Sequence, residues 1–450
     1  MKKLKYLIWI IPVALAAAVV INYPKLDLIS GYSAKSVASA HFMDGRSLEM
    51  IEAGDNDIKL VDLASNSIDE DGKYAVSSVF GLKKRKAIYR DGLGAVLIDD
   101  DFDIHATYLK PIRNLTFTDI PYPYGNAEPT DTLFANVDYK ALNDAVANAF
   151  DKDGAREKRT RSLVVLYKGR LLAEKYDTGF NKDSRILGWS MTKSICATMF
   201  GILEYQKKFN IYAPAPVKEW AGDKRSKITT NDLLHMNSGL EWEEKYDKIS
   251  DATKMLFTAR DMTKSQVDKP LVGAPDKLWN YSSGTSNLLS GILRQQFPTQ
   301  QQYLDFWYTD LIDRIGMNSM IVETDMAGNY VGSSYAWATT RDWAKFGLLY
   351  LNRGDWNGDR IFAESWAKYV STPTNNSDGL YGGHFWLNTG GKYPDAPRDM
   401  YSANGFQGQR VFIIPSMDIV IVRMGLKDGN DFDFNALIKG VIGSIVKDVI

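Results

Sequence analysis

The chain has 450 residues, with 54 Lys and Arg against 55 Asp and Glu and a formal net charge of −1, so it offers no basic field for nucleic acid and no acidic tail. Hydrophobic residues make up 45% and charged residues 24%, the balance of a globular protein long enough for two domains. One cysteine, Cys196, excludes an intrachain disulfide framework and a cysteine-rich metal site.

At the start of the chain Lys2, Lys3 and Lys5 precede an apolar run from Tyr6 to Tyr23. A basic cluster before a hydrophobic segment predicts export, so residues 1–24 read as an uncleaved signal anchor. The alternative is a signal peptide cut after Ala14-Leu15-Ala16. With the lysines held in the cytoplasm, the body of the protein would lie in the periplasm of a bacterial cell envelope, bound to the membrane through this segment.

Residues 25–126 follow as a small β-rich module of short apolar alternations broken by Gly, Asp and Asn. Within it Lys73–Phe80 and Ala95–Ile98 read as strands, and Ile120-Pro-Tyr-Pro-Tyr-Gly125 as a linker. The third unit, residues 127–450, opens with a helix over Val137–Phe150, where Leu142, Val146 and Phe150 recur every fourth residue. A hairpin follows, Ser162–Tyr167 and Arg170–Tyr176 around Lys168-Gly169. From Ser190 to about Tyr205 the chain is apolar on most faces, as a helix buried in a domain centre would be. Residues 228–350 are mostly helical in pattern. Arg410–Pro415 and Ile419–Met424 then read as strands, so one antiparallel sheet is expected to be built from distant segments with helices between them.

Three Ser-x-x-Lys tetrapeptides occur: Ser190–Lys193, Ser365–Lys368 and Ser444–Lys447. On a helix this spacing puts hydroxyl and ammonium on one face. A desolvated lysine has a lowered pKa and can take the serine proton. Only Ser190 follows a loop and opens a strongly apolar helix; the other two sit in ordinary helical surface patterns. Rival hydrolytic arrangements lack their parts, since there is no Gly-x-Ser-x-Gly elbow and no His-Glu-x-x-His helix. The histidines are His41, His105, His235 and His384. A Ser–His–Asp triad would have to recruit His235 or His384, each more readily explained as structural.

Gly188-Trp-Ser-Met-Thr-Lys-Ser194 resembles the active-site box of the superfamily that includes class C β-lactamases, penicillin-binding proteins and 6-aminohexanoate-dimer hydrolases. Ile228–Leu240 is similar to the segment that follows that box, and Pro275-Asp-Lys-Leu-Trp-Asn-Tyr-Ser-Ser-Gly284 to the second box, with Tyr281 at its head. Gly405-Phe-Gln-Gly-Gln409 resembles the third box, and Tyr381–Asn388 is similar to a stretch before it. The likeness runs over roughly residues 130 to 450, in the right order. It implies an α/β (α+β) fold of β-lactamase/transpeptidase type: an antiparallel sheet flanked by helices, with a helical subdomain and the site between.

It also implies roles. Ser190 would be the acylated nucleophile, Lys193 its activator, and Tyr281 a proton carrier whose pKa Lys193 lowers. The backbone N–H groups of Ser190 and Phe406 would form an oxyanion hole, and Ser283, Gly405 and Gln407 would touch substrate. No metal and no organic cofactor is called for. One departure matters: where β-lactamases and peptidases begin the third box with a cation for the substrate carboxylate, this chain has Ala403. The expectation is therefore a serine hydrolase of small-molecule esters or amides, closest in character to the 6-aminohexanoate-dimer hydrolase and esterase branch. The alternatives are a D,D-carboxypeptidase or β-lactamase and, from another class, a non-catalytic cell-envelope binding module.

Overall fold

The computed structural model describes residues 2–446 except residues 116 and 153, with the backbone alone for residues 2–21. The chain begins with α1 (Lys2–Asp44) and the short α2 (Leu48–Glu52). Among the described residues no helix is long and apolar enough to cross a membrane. The expected anchor over residues 1–24 falls mostly on side chains outside those described.

Strands β1 (Ala64–Asp69), β2 (Tyr74–Val79), β3 (Leu82–Arg90) and β4 (Gly94–Ile98) form an antiparallel sheet in sequence order. The two strands predicted in this region are β2 and β4. To this β-rich module α1 adds a helix through residue 44, where the alternation pointed only to short strands. Its small residues Ala34, Val37 and Ala38 are fully buried, and they share one core with Ala75, Ala87 and Ala95 of the sheet and with Leu256, Phe257 and Trp337 farther along the chain. The module therefore folds onto the rest of the molecule rather than around a core of its own. Two polar clamps support the seam. Lys35 of α1 pairs with the buried Glu323, which also accepts from the Ala95 N–H at 2.7 Å and from Trp337 Nε1 at 3.1 Å. Asp55 takes a bidentate pair from Arg161 at 2.8 and 2.7 Å and a further bond from Arg46 at 3.0 Å. The predicted linker is packed as well: Tyr122 is buried and donates to the Arg341 carbonyl at 3.0 Å.

The helix expected near residue 137 is α3 (Tyr139–Asn148), capped by Asp138, and the hairpin is β5 (Thr160–Tyr167) with β6 (Arg170–Tyr176). After β7 (Arg185–Leu187) comes α4 (Thr192–Tyr205), buried on every face over its first three turns. The predominantly helical stretch holds α5 (Thr230–Leu234), α6 (Asp251–Thr258), α7 (Ser283–Gln295), α8 (Gln300–Trp307) and α9 (Thr340–Leu351). Strands β8 (Ile321–Val322) and β9 (Ala336–Thr339) interrupt it. A small hairpin, β10 (Asp355–Trp356) and β11 (Asp359–Arg360), and α10 (Glu364–Val370) lead to β12 (Trp386–Leu387), β13 (Tyr401–Gly405), β14 (Gln409–Ile414), β15 (Ile419–Gly425) and α11 (Phe434–Gly443).

The main sheet has the order β12-β13-β14-β15-β5-β6, antiparallel throughout. Its last strand thus pairs with its first across most of the domain, as anticipated from the strands at both ends. One face packs on α9 and α4, the other on α3 and α11, because β14 and β15 are apolar on both sides. This sandwich presents the start of α4 at the edge of β13, and that is where the chemistry collects.

Candidate active site

Ser190 stands in a tight 3₁₀ turn, Trp189–Met191, immediately before α4. The turn is pinned to β9 from both sides: the Gly188 N–H donates to the Ala336 carbonyl at 2.8 Å and the Ala336 N–H to Thr192 Oγ1 at 2.9 Å. Trp189 adopts φ 47°, a left-handed conformation that is strained for a bulky residue and that recurs where function over-determines geometry. Its ring is held by Tyr32 of α1, stacked at 5.9 Å, and by the edge of Phe406 at 5.5 Å. A side chain at Gly405 would meet the Gly188 carbonyl at 2.1 Å. Only glycine lets the end of β13 lie this close to the serine turn, and Phe406 follows directly.

Lys193, on the first turn of α4, is 1% exposed. Its ammonium donates to Ser190 Oγ at 3.0 Å, to Ser283 Oγ at 2.9 Å and to the Ser333 carbonyl at 2.9 Å. Desolvation lowers its pKa to about 8, against an opposing pull from Glu244 that favours the charged form. The lysine is therefore poised near neutrality, held against the hydroxyl it would deprotonate.

Tyr281 precedes α7, its ring flanked by Trp386 at 5.2 Å and Tyr381 at 5.7 Å, with Lys193 Nζ 5.0 Å from the ring centroid. The expectation that Lys193 lowers its pKa is corrected. Burial and then the Glu244 carboxylate push the phenol up, and a hydrogen bond with Ser190 offsets this only in part. Tyr281 is thus a neutral hydroxyl at ordinary pH, suited to donating and relaying a proton rather than to resting as an anion.

Ser283 is fully buried behind the lysine, donating to Glu244 Oε1 at 2.5 Å while accepting from Lys193. This makes it a bridge between the ammonium and a carboxylate. Glu244 also accepts from the Ser283 N–H at 2.9 Å, from Trp242 Nε1 at 2.5 Å and from Tyr246 at 2.5 Å. The sequence reading did not single out Glu244. The one local hint was its place in the Trp242–Tyr246 run just after the segment that resembles the family.

Of the other residues named from sequence, Phe406 lines a cavity with Ser190, whereas Gln407 is not among the residues lining it and is buried at φ 59°, its carbonyl accepting from Arg423 at 3.3 Å. Ala403 is packed in the core. Arg410 is buried and gives its guanidinium to the carbonyls of Gly405 and Gln409, at 2.9 and 2.8 Å, against the ring of Phe434. His384 is spoken for by the Leu234 carbonyl at 2.6 Å and Ser286 Oγ at 2.9 Å, and burial lowers its pKa to about 3. His235 bonds Thr374 at 2.7 Å. Neither histidine is hydrogen-bonded to Ser190. Ser365 is exposed on α10, and Ser444 caps α11 by donating to the Val441 carbonyl, with Lys447 outside the described residues.

Residues 146–440 match the family model described as Beta-lactamase. A curated relative, the 6-aminohexanoate-dimer hydrolase of Paenarthrobacter ureafaciens, is 25% identical over 291 residues, which cover 59% of this chain and 72% of the relative. Among solved structures, a penicillin-binding protein homologue from Caulobacter crescentus superposes with a TM-score of 0.53 at 14% identity, covering 71% of this chain and all of the other (100%). EstCE1, a hydrolase with promiscuous acyltransferase activity, gives 0.54 at 12% identity, covering 69% of this chain and 98% of its own. Below 25% identity such likeness speaks for the fold. The antiparallel sheet, the serine turn at the head of a buried helix and the family match over most of the chain lead to one conclusion: this chain belongs to the Beta-lactamase family, as a hydrolase of that superfamily.

Proposed function

We propose that the protein is a serine hydrolase that cleaves an ester or amide through an acyl-enzyme on Ser190. The observation that carries this reading is the 3.0 Å hydrogen bond from the buried, pKa-depressed Lys193 to Ser190 Oγ. Neutral Lys193 takes the serine proton as Oγ attacks the carbonyl carbon, and the developing oxyanion is met by the N–H groups of Ser190 and Phe406. The proton then passes through Tyr281 to the leaving group as the carbonyl re-forms. Water enters by the same route in reverse and releases the acid. Ser283 and Glu244 hold the ammonium from behind.

Labelling with a fluorophosphonate probe tests the assignment. The expected adduct is on Ser190, and it disappears in Ser190→Ala but persists in Ser365→Ala. An adduct that survives Ser190→Ala would overturn it. The same proposal places the 6-aminohexanoate-dimer hydrolase and esterase branch ahead of β-lactamase, because Ala403 offers no cation to a substrate carboxylate, and charge-assisted bonds of that kind are worth about 1.5–3 kcal/mol. Nitrocefin hydrolysis matching the best ester would reverse that order.

A second reading, a D,D-carboxypeptidase or β-lactamase, is favoured by one feature. Lys392 lies 5.6 Å from the ring of Trp386, which itself packs on Tyr281, so a cation stands one ring away from the phenol. If it serves a carboxylate, Lys392→Ala will selectively weaken turnover of carboxylate-bearing substrates. We also propose attachment to the membrane through residues 1–24 with the catalytic domain outside the cytoplasm, on the strength of the Lys2, Lys3, Lys5 cluster before the apolar run. A soluble product beginning at Ala17 would exclude it.

A further inference from the structure

We infer that the N-terminal module completes the substrate site, and that the substrate carries an extended apolar chain which this module holds. The inference rests on the proposed serine hydrolase reading and names the substrate class for that same site. A cavity of about 480 Å³ runs from Ser190 to the module, within the range of ~300–1,000 Å³ usual for small-molecule sites. Its far wall is not made by the family domain. Leu28, Ile29 and Tyr32 come from α1, and Ile58, Leu60 and Val61 from the segment after α2. Its near wall is Trp189, Phe406 and Phe257.

The two walls are mechanically joined. Tyr32 stacks on Trp189 at 5.9 Å and packs on Phe257 at 5.6 Å, so α1 props the residue next to the nucleophile. Leu60 sits at φ 78°, a costly conformation for a leucine, and is 40% exposed. With Lys25, Lys59, Asp247 and Lys248 also on its lining, the cavity offers a largely apolar wall with charged groups, a surface that a hydrocarbon chain can lie along. A short acyl group would leave most of this lining in water, whereas a chain along it would bury it.

The chain could hang from the carbonyl or from the leaving group, and two ester series separate these sources. One is p-nitrophenyl acyl esters from acetate to dodecanoate; the other is acetate esters of straight alcohols of the same lengths. In one series kcat/KM is expected to rise roughly fourfold per added methylene until the cavity is full. Leu28→Trp, which fills the cavity from a half-buried helix position, is expected to lower the ratio of decanoate-length to acetate-length efficiency at least tenfold in that series. Leu60→Ser, at the rim, should lower it in the same direction. Efficiency that is flat or falling with length in both series overturns the inference while leaving the serine hydrolase intact. Failure to hydrolyse any ester together with failure of Ser190 to take a fluorophosphonate overturns the function beneath it.

Discussion

Lys35 and Lys193 are both buried, in helices on either side of the seam between module and catalytic domain, and they are used in opposite ways. Lys35 touches its carboxylate directly: Glu323 accepts from it and from three further donors, so the pair is closed and has no lone pair to offer substrate. Lys193 has its carboxylate one hydroxyl away, Ser283 standing between it and Glu244. Desolvation lowers both pKa values, but only Lys193 has the Ser190 hydroxyl in reach. Direct contact with the anion fits a structural lysine, and separation by one hydrogen bond fits the proposed role of Lys193 as a base.

Removing each lysine in turn should give opposite effects on activity and stability. Lys193→Ala is expected to lower kcat/KM by roughly 10²–10⁴-fold, the scale of a lost general base, while the melting temperature changes little, because a buried charge is removed along with its cost. Lys35→Ala should do the reverse. It strands Glu323 in the core, a loss of about 3–5 kcal/mol by denaturant unfolding, with activity per folded molecule retained. If Lys35→Ala were as stable as the parent, the clamp would be ornamental.

Tyr281→Phe comes next, with turnover lowered at least roughly a hundredfold and folding preserved. Near-parental turnover would remove the phenol from the proton path. The smallest effect is expected in the pH profile. The group that must be neutral is Lys193, so kcat/KM should rise as pH passes through about 8. Glu244 favours the charged ammonium, and Glu244→Gln should therefore move that limb to lower pH; a limb that stays put would show that another group titrates.

Much of the candidate site was legible because it is local. The Ser190–Lys193 spacing places both groups on one side of the turn and helix, the Lys168-Gly169 pair with positive φ at both residues closes the β5–β6 hairpin, and the apolar runs after Arg410 became β14 and β15. The same tetrapeptide at Ser365 has identical spacing, but its serine and its lysine are both exposed. What separates them comes from elsewhere in the chain.

By itself, then, the sequence marked Ser190, Lys193 and Tyr281 as the candidate catalytic residues and anticipated the strands β5, β6, β14 and β15, because hydrophobic period and residue spacing act over a few residues. The tertiary structure alone decided that Lys193 is dry, that Glu244 stands behind it and that the phenol is raised rather than lowered. Those depend on partners 90 and 140 residues away, Ser283 and Ser333. It also decided that α1 reaches the turn that holds Ser190, across a seam whose ion pair joins residues 288 apart. Desolvation is a sum over all surrounding segments, and no local pattern records it.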